Sequence, residues 1–225
     1  MSERPRAGPT SDVLVFAGGD PVSPTLDAHL PSVPLVIAAD SGLEHAHALG
    51  RHVHLVVGDL DSVDPAALAD AEARGTEVAR HPAEKDATDL ELAIDAARAR
   101  GARRITVVGG YGGRVDHFIA NAVLLTSPRF ADVEIDAWIG SARVAVVRRR
   151  VEIRGVPGGL CTLLPIGGEA RGVTTDGLRY PLTDDVLAPG STRGVSNVLL
   201  GTEASVSLRD GTLLAIQPHH LEEGP

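Results

Sequence analysis

Apolar residues along the first 140 positions fall into short β-branched runs separated by stretches with helical spacing. The runs occupy 13–17, 35–39, 55–57, 104–108 and 134–139, with a weaker one at 77–80. Between them, 43–49, 65–74, 89–100 and 115–125 read as helices. Leu90, Ile94 and Ala97 recur on one helical face. Asp64-Pro65 supplies an N-cap followed by proline at the first helical position. Strands that are apolar throughout, alternating with helices, imply a parallel sheet covered on both faces.

After about residue 142 the pattern changes. No long helical spacing remains, and the apolar runs at 144–147, 160–164, 204–208 and 213–216 are divided by turns rich in proline and glycine. Asp210-Gly211 between two runs is a hairpin signal. Arg148-Arg149-Arg150 reads as a solvated strand end. The expected fold is an N-terminal, mostly parallel α/β sandwich domain over 1–141. A smaller C-terminal all-β, sandwich-like domain follows over 142–225.

Composition adds limits. The 225 residues are 43% hydrophobic with a mean hydropathy of +0.06, as in a globular chain. No apolar run exceeds five residues, far short of the ~20 that a membrane-spanning helix needs. The first twelve residues are polar, without the apolar stretch of a secretory signal. A single cysteine, Cys161, excludes an internal disulfide framework and a cysteine-rich zinc site. A cytoplasmic protein that avoids membranes is expected. The net charge of −9 argues against a nucleic-acid binder, which needs a basic face. Of the 21 basic residues only one, Lys85, is lysine.

The candidate chemistry lies where the strands of the first domain end, the edge at which open α/β sheets bind ligands. Five clusters stand there: Ala17-Gly18-Gly19-Asp20, Ala39-Asp40-Ser41-Gly42, Gly58-Asp59-Leu60-Asp61-Ser62, Lys85-Asp86-Ala87-Thr88-Asp89, and Gly109-Gly110-Tyr111-Gly112-Gly113-Arg114-Val115-Asp116-His117. Asp59 and Asp61, at i and i+2 of an extended segment, would project to one side. Paired carboxylates of this kind suit a cation such as Mg²⁺, which takes oxygen ligands and substrate phosphates. Thr88 with Glu91 fits a capping box, and Asp89 suits the helix dipole. Lys85 and Asp86 have no such local explanation. A lysine flanking a helix N-terminus suits phosphate, and Asp89 could add a third metal carboxylate. The glycine-rich turn is neither a Walker A loop nor a dinucleotide fingerprint. Its attached Arg114 suits phosphate oxygens, and Asp116 could orient or deprotonate a hydroxyl. His117 reads as structural. His45, His47, His52, His54, His219 and His220 have no metal-site companions and read as surface residues.

The motifs around Asp59, Lys85 and Arg114 resemble those of the thiamine pyrophosphokinase (thiamine diphosphokinase) family, in order and at plausible separations. Asp40-Ser41-Gly42 resembles that family's segment after the second strand. Gly177-Leu178-Arg179-Tyr180-Pro181-Leu182 and Gly194-Val195-Ser196-Asn197 resemble its thiamine-side motifs. The resemblance implies a homodimer with sites at the subunit interface. It implies transfer of a diphosphoryl group from ATP to the hydroxyl of thiamine, giving thiamine diphosphate and AMP. Asp59, Asp61 and Asp89 would hold Mg²⁺, and Ser62, Lys85, Thr88 and Arg114 would contact phosphates. Asp40, Ser41, Gly42 and the loop of Gly110, Gly112 and Gly113 would lie near the nucleotide. Ser196 and Asn197 would face thiamine, with Leu178 and Tyr180 shaping that side. Val198-Leu199 stands where many members carry a pair containing an aromatic residue.

The hydroxyl would attack the β-phosphorus and expel AMP, a transfer that depends on positioning and charge neutralisation. Asp116 and Asp89 are both candidates for the general base. Two other functions share the ATP-side motifs: a diphosphokinase acting on a pterin-like hydroxymethyl heterocycle, and a nucleotide-binding sensor without catalysis.

Overall fold

The computed structural model describes residues 12–223. The polar amino-terminal segment before them lies outside the described residues. The chain divides into two compact units. The first runs to Gly113 and includes Asp132–Glu134; the second comprises Arg114–Ala131 and everything from Ile135.

The first unit contains β1 (Asp12–Ala17), a 3-10 turn (Pro24–His29), β2 (Leu35–Ala39), α1 (Gly42–Ala48), β3 (Leu55–Gly58), α2 (Pro65–Ala73), β4 (Glu77–Arg80), α3 (Asp89–Ala99) and β5 (Arg104–Val108). Its strands are parallel in the order β5-β1-β2-β3-β4. The chain steps outward from β1 to β4 and then returns to β5 on the other side of β1. The β1/β5 boundary is therefore a topological switch point. Phe16, Leu14 and Ile37 are fully buried in this sheet, each removing from water a side chain worth roughly 1.5–3 kcal/mol.

The helices obey their local signals. Asp64 caps α2 by accepting from the Ala66 N–H at 2.8 Å, with Pro65 opening the helix. Thr88 caps α3 by accepting from the Glu91 N–H at 3.2 Å. Leu90, Ala93, Ile94 and Ala97 form the buried face of α3 against β1, β2 and β3.

The second unit contains α4 (Val115–Leu124), a 3-10 turn (Pro128–Phe130), β6 (Glu134–Ile139), β7 (Ala142–Val147), β8 (Arg150–Arg154), β9 (Leu160–Pro165), β10 (Ala170–Asp176), β11 (Asp185–Leu187), β12 (Asn197–Val198), β13 (Glu203–Ser207), β14 (Leu213–Gln217) and α5 (His220–Glu223). The strands β12-β9-β14-β7-β6 are joined antiparallel, and β11-β10-β13-β8 form a second antiparallel sheet. Val147, Leu163 and Leu213 from one layer meet Ile153, Val173 and Val206 from the other in one core. None of the residues of α4 is buried, and Val115, Ile119 and Val123 form an exposed apolar stripe.

Two sequence expectations need correction. His45 is buried, and its Nδ1 lies 2.9 Å from the Ala17 carbonyl at the end of β1. It is a core group and not a surface one. Arg148 turns back to the carbonyls of Leu125 and Ser127. A cation there suits the C-terminal end of α4, so only Arg149 and Arg150 of the arginine run are exposed. His54 is also tied into the structure, since its Nδ1 accepts from the Val36 N–H at 3.1 Å. Burial, and then the neighbouring His52, lower its pKa.

Cys161 lies on β9 in the core of the second unit and is fully buried. Burial pushes its thiol up to about 12. A thiol reagent at pH 8 is expected to leave the folded protein unlabelled and to react as the second unit unfolds. Unfolding exposes a thiol of ordinary acidity, near 8.5. Stability should therefore fall as pH rises from about 9 toward 12. Rapid labelling of the folded protein would show that this core opens readily.

Among the described residues no helix is long and apolar enough to cross a membrane.

Candidate active site

The carboxyl ends of β1, β2, β3 and β5 meet along one edge of the first unit. At the switch point the loops after β1 and β5 are stapled together. The Asp20 N–H donates to the Tyr111 carbonyl at 2.7 Å, and the Gly110 N–H donates to the Gly18 carbonyl at 2.8 Å. The glycine-rich turn is thereby held against the end of β1.

Beside it, three carboxylates converge. One oxygen each from Asp40, Asp59 and Asp89 lies within 4.8 Å of the others. Asp40 leaves β2 in the left-handed region (φ 48°) and donates its N–H to the Val57 carbonyl at 2.9 Å. Asp59 follows β3, and Asp89 opens α3. Gly58 forms the floor between them: a Cβ there would stand 3.1 Å from Asp89 Oδ1 and 3.3 Å from the Asp40 Cβ, at a φ of 153°. Only a residue without a side chain leaves this cradle open.

Electrostatics mark the cluster as incomplete. Asp40 Oδ1 is buried without a hydrogen-bond partner. Burial, and then the charges of Asp89 and Asp59, push the Asp40 carboxyl above its ordinary range, against a hydrogen bond from the Ser41 backbone. Lys85 supplies the neighbouring positive charge. Its Nζ lies 2.9 Å from Asp89 Oδ1 and 3.3 Å from Asp59 Oδ2. Partial burial works against the ammonium, but hydrogen bonds and charges of Asp89 and Asp59 hold it above its usual pKa. An oxygen-only donor set with an orphaned carboxylate oxygen fits a hard divalent cation.

Asp61 is placed differently from Asp59. Leu60 adopts φ 63°, so the segment is not extended and the i, i+2 relation does not hold. Asp61 accepts from the Ser62 hydroxyl at 2.9 Å, and the three-carboxylate cluster consists of Asp40, Asp59 and Asp89. Thr88 uses its oxygen to cap α3 and retains a hydroxyl proton to donate. Ser41 precedes α1, whose first residue, Gly42, packs against the backbone of β1.

In the second unit Arg114 and Asp116 form an exposed pair through two hydrogen bonds, of 3.1 and 2.5 Å. The Arg114 guanidinium holds the Asp116 carboxyl down to about 2, which makes Asp116 a poor proton acceptor while it stays paired. Gly112 and Gly113 lead into this pair. Farther along, Asn197 is buried and makes three hydrogen bonds to backbone groups. Its Oδ1 accepts from the N–H groups of Tyr180 and Val198, and its Nδ2 donates to the Tyr180 carbonyl at 2.8 Å. Leu178 is buried in the core opposite Leu199. These two residues position their neighbours, whereas Tyr180 and Ser196 are exposed. Ser196 adopts φ 57°, and its N–H donates to the Thr162 hydroxyl at 3.0 Å.

Comparison with known proteins gives this arrangement a family. Residues 26–137 match the family model "Thiamin pyrophosphokinase, catalytic domain", and residues 148–213 match "Thiamin pyrophosphokinase, vitamin B1 binding domain". The chain belongs to the thiamin pyrophosphokinase family. The thiamine pyrophosphokinase of Bacillus subtilis is 26% identical over 215 residues, covering 91% of this chain and 96% of that protein. The crystal structure of the Bacillus subtilis protein superimposes with a TM-score of 0.81 at 25% identity, over 92% of this chain and 98% of that one. The thiamin pyrophosphokinase of Geobacillus thermodenitrificans gives a TM-score of 0.76 at 26% identity, over 92% and 96%. The Candida albicans thiamin pyrophosphokinase, at 15% identity, shares the fold with a TM-score of 0.75. The thiamin pyrophosphokinase catalytic match includes the Asp40, Asp59, Lys85, Asp89 and Arg114 segments; the B1-binding match includes Leu178, Tyr180, Ser196 and Asn197.

Proposed function

We propose that the protein is a thiamine diphosphokinase, moving the diphosphoryl group of ATP onto the hydroxyl of thiamine and releasing AMP. The observation that carries this is the convergence of Asp40, Asp59, Asp89 and Lys85 at the carboxyl edge of a parallel sheet, in a chain matched by both domain models of one kinase family.

Asp59 and Asp89 would hold a divalent cation, Mg²⁺ by the oxygen donor set, with Asp40 beside them and Asp61 as a further carboxylate of the same loop. Such an ion would neutralise charge on the phosphates. Lys85 and Arg114 meet phosphate oxygens, and Ser62 and Thr88 donate hydroxyl protons to them. The N-terminus of α3 favours the same anions. Asp40, Ser41, Gly42 and the turn of Gly110, Gly112 and Gly113 lie along the nucleotide. Tyr180 and Ser196 face thiamine, held by Leu178 and Asn197. The thiamine oxygen gives up its hydroxyl proton to Asp89, or to Asp116 once Arg114 turns to phosphate, and forms a bond to the β-phosphorus as the bridge to AMP breaks; Lys85 and Arg114 offset charge on the moving group. The protein acts in the cytoplasm as a homodimer with its sites at the subunit interface. The exposed stripe of Val115, Ile119 and Val123 supports that association.

AMP release measured with ATP, Mg²⁺ and either thiamine, a hydroxymethylpterin or no acceptor tests the reading. Thiamine-dependent AMP, matched by thiamine diphosphate, is expected. Pterin-dependent release would reassign the substrate, and no release with any acceptor would leave a nucleotide-binding protein.

A further inference from the structure

The geometry points to Lys85 as a tethered counter-cation: in the metal-free protein its ammonium occupies the carboxylate cluster, and a divalent cation must displace it to bind. This rests on the cation site proposed above and adds an order to its filling.

Lys85 Nζ touches two of the three carboxylates, Asp89 at 2.9 Å and Asp59 at 3.3 Å. Its side chain is 14% exposed, against 19% for Asp59 and 26% for Asp89. The lysine is therefore the least accessible member of this trio. Three carboxylates within 4.8 Å would repel one another without a positive charge among them, and Lys85 provides one. A divalent ion placed between Asp59 and Asp89 would meet that ammonium at close range, where like charges repel strongly. The two cations compete for the same oxygens.

The way Lys85 is mounted makes exchange easy. It precedes α3, three residues before the cap at Thr88, so its flexible four-carbon stem can swing without moving the helix. An ammonium expelled from the carboxylates is a compact donor for phosphate. Nucleotide then offers the displaced ammonium new oxygens, and by linkage it tightens metal binding through Lys85. The site would stay guarded against metal alone and accept metal with nucleotide.

Lys85 is the only lysine in the chain, so lysine labelled with ¹³C and ¹⁵N yields one side-chain Cε and Nζ signal. Mg²⁺ added without nucleotide is expected to move that signal toward the position of a solvated lysine. In a parallel Mn²⁺ titration without nucleotide, Lys85→Met should bind the ion about tenfold tighter than wild type, as for a site whose open form is populated about one-tenth of the time. An ATP analogue should tighten Mn²⁺ binding less in Lys85→Met than in wild type. Lys85→Gln serves if the methionine variant fails to fold, and the wild-type titration needs no variant. A lysine signal that stays put on metal binding, or a variant that binds Mn²⁺ no tighter than wild type, overturns the proposal. Asp59→Asn and Asp89→Asn identify a different failure: if both bind Mn²⁺ as tightly as wild type, the cation does not sit at this cluster and the site assignment falls with it.

Discussion

Asp59→Asn is expected to lose at least about 10²–10³-fold in kcat/KM for thiamine diphosphate formation, the usual scale for deleting one preorganised electrostatic partner. The asparagine would keep the size and one oxygen of the original side chain but not its charge. Asp59 faces Asp89 and Lys85, so its loss weakens cation binding and removes one anchor of the ammonium. The fold should survive, because Asp59 stands after β3 in a loop and is not part of the apolar core. Steady-state rates at rising Mg²⁺, with circular dichroism as the folding control, separate the two contributions. Part of the loss should return at high Mg²⁺. Near-normal turnover by a folded Asp59→Asn protein would remove the cluster from the chemistry.

Gly42→Ala is expected to lower the stability of the first unit by about 3 kcal/mol, the upper range for overpacking. A Cβ at position 42 would collide with the carbonyl of Phe16 and with the backbone nitrogen of Ala17. Both belong to β1, the strand paired on one side with β2 and on the other with β5. Backbone at the centre of a sheet has no rotamer to give. Against a total of ~5–15 kcal/mol this is a large share, and at ~2–4 °C per kcal/mol for a chain of this size the melting midpoint should drop by roughly 6–12 °C. Thermal unfolding monitored by circular dichroism reads it directly. An unchanged midpoint would mean that α1 can ride away from β1 at little cost. The motif around Gly42 thus has a packing reason that is independent of nucleotide.

Much of the first unit was legible because its local signals agree with its tertiary structure. Apolar runs became β1, β2, β3 and β5, and the capping residues Asp64 and Thr88 stand where α2 and α3 start. The strands missed in the second unit lack that agreement. In β8 the alternating Val151 and Ile153 are embedded in arginine and glutamate. In β10 the register shifts between Arg171 and Val173, where Gly172 adopts φ 69°. His45 could not be distinguished from a surface histidine, since its partner is a backbone carbonyl 28 residues away. At the candidate site, every participating carboxylate could be named from its motif. Their grouping could not, because a single left-handed residue, Leu60, turns Asp61 out of line with Asp59, and the gap above Gly58 admits Asp40.

The strand order has a consequence for how the chain is made. Among the described residues β1 is the first strand to leave the ribosome, yet one of its two neighbours, β5, ends at Val108. At about 5–20 residues per second, the interval between them is several seconds. Throughout it, one long edge of an apolar strand lacks its native partner, and such edges recruit other chains. The nascent protein is most vulnerable to aggregation before residue 108 emerges, so a ribosome stalled in that window would hold the form most dependent on a chaperone.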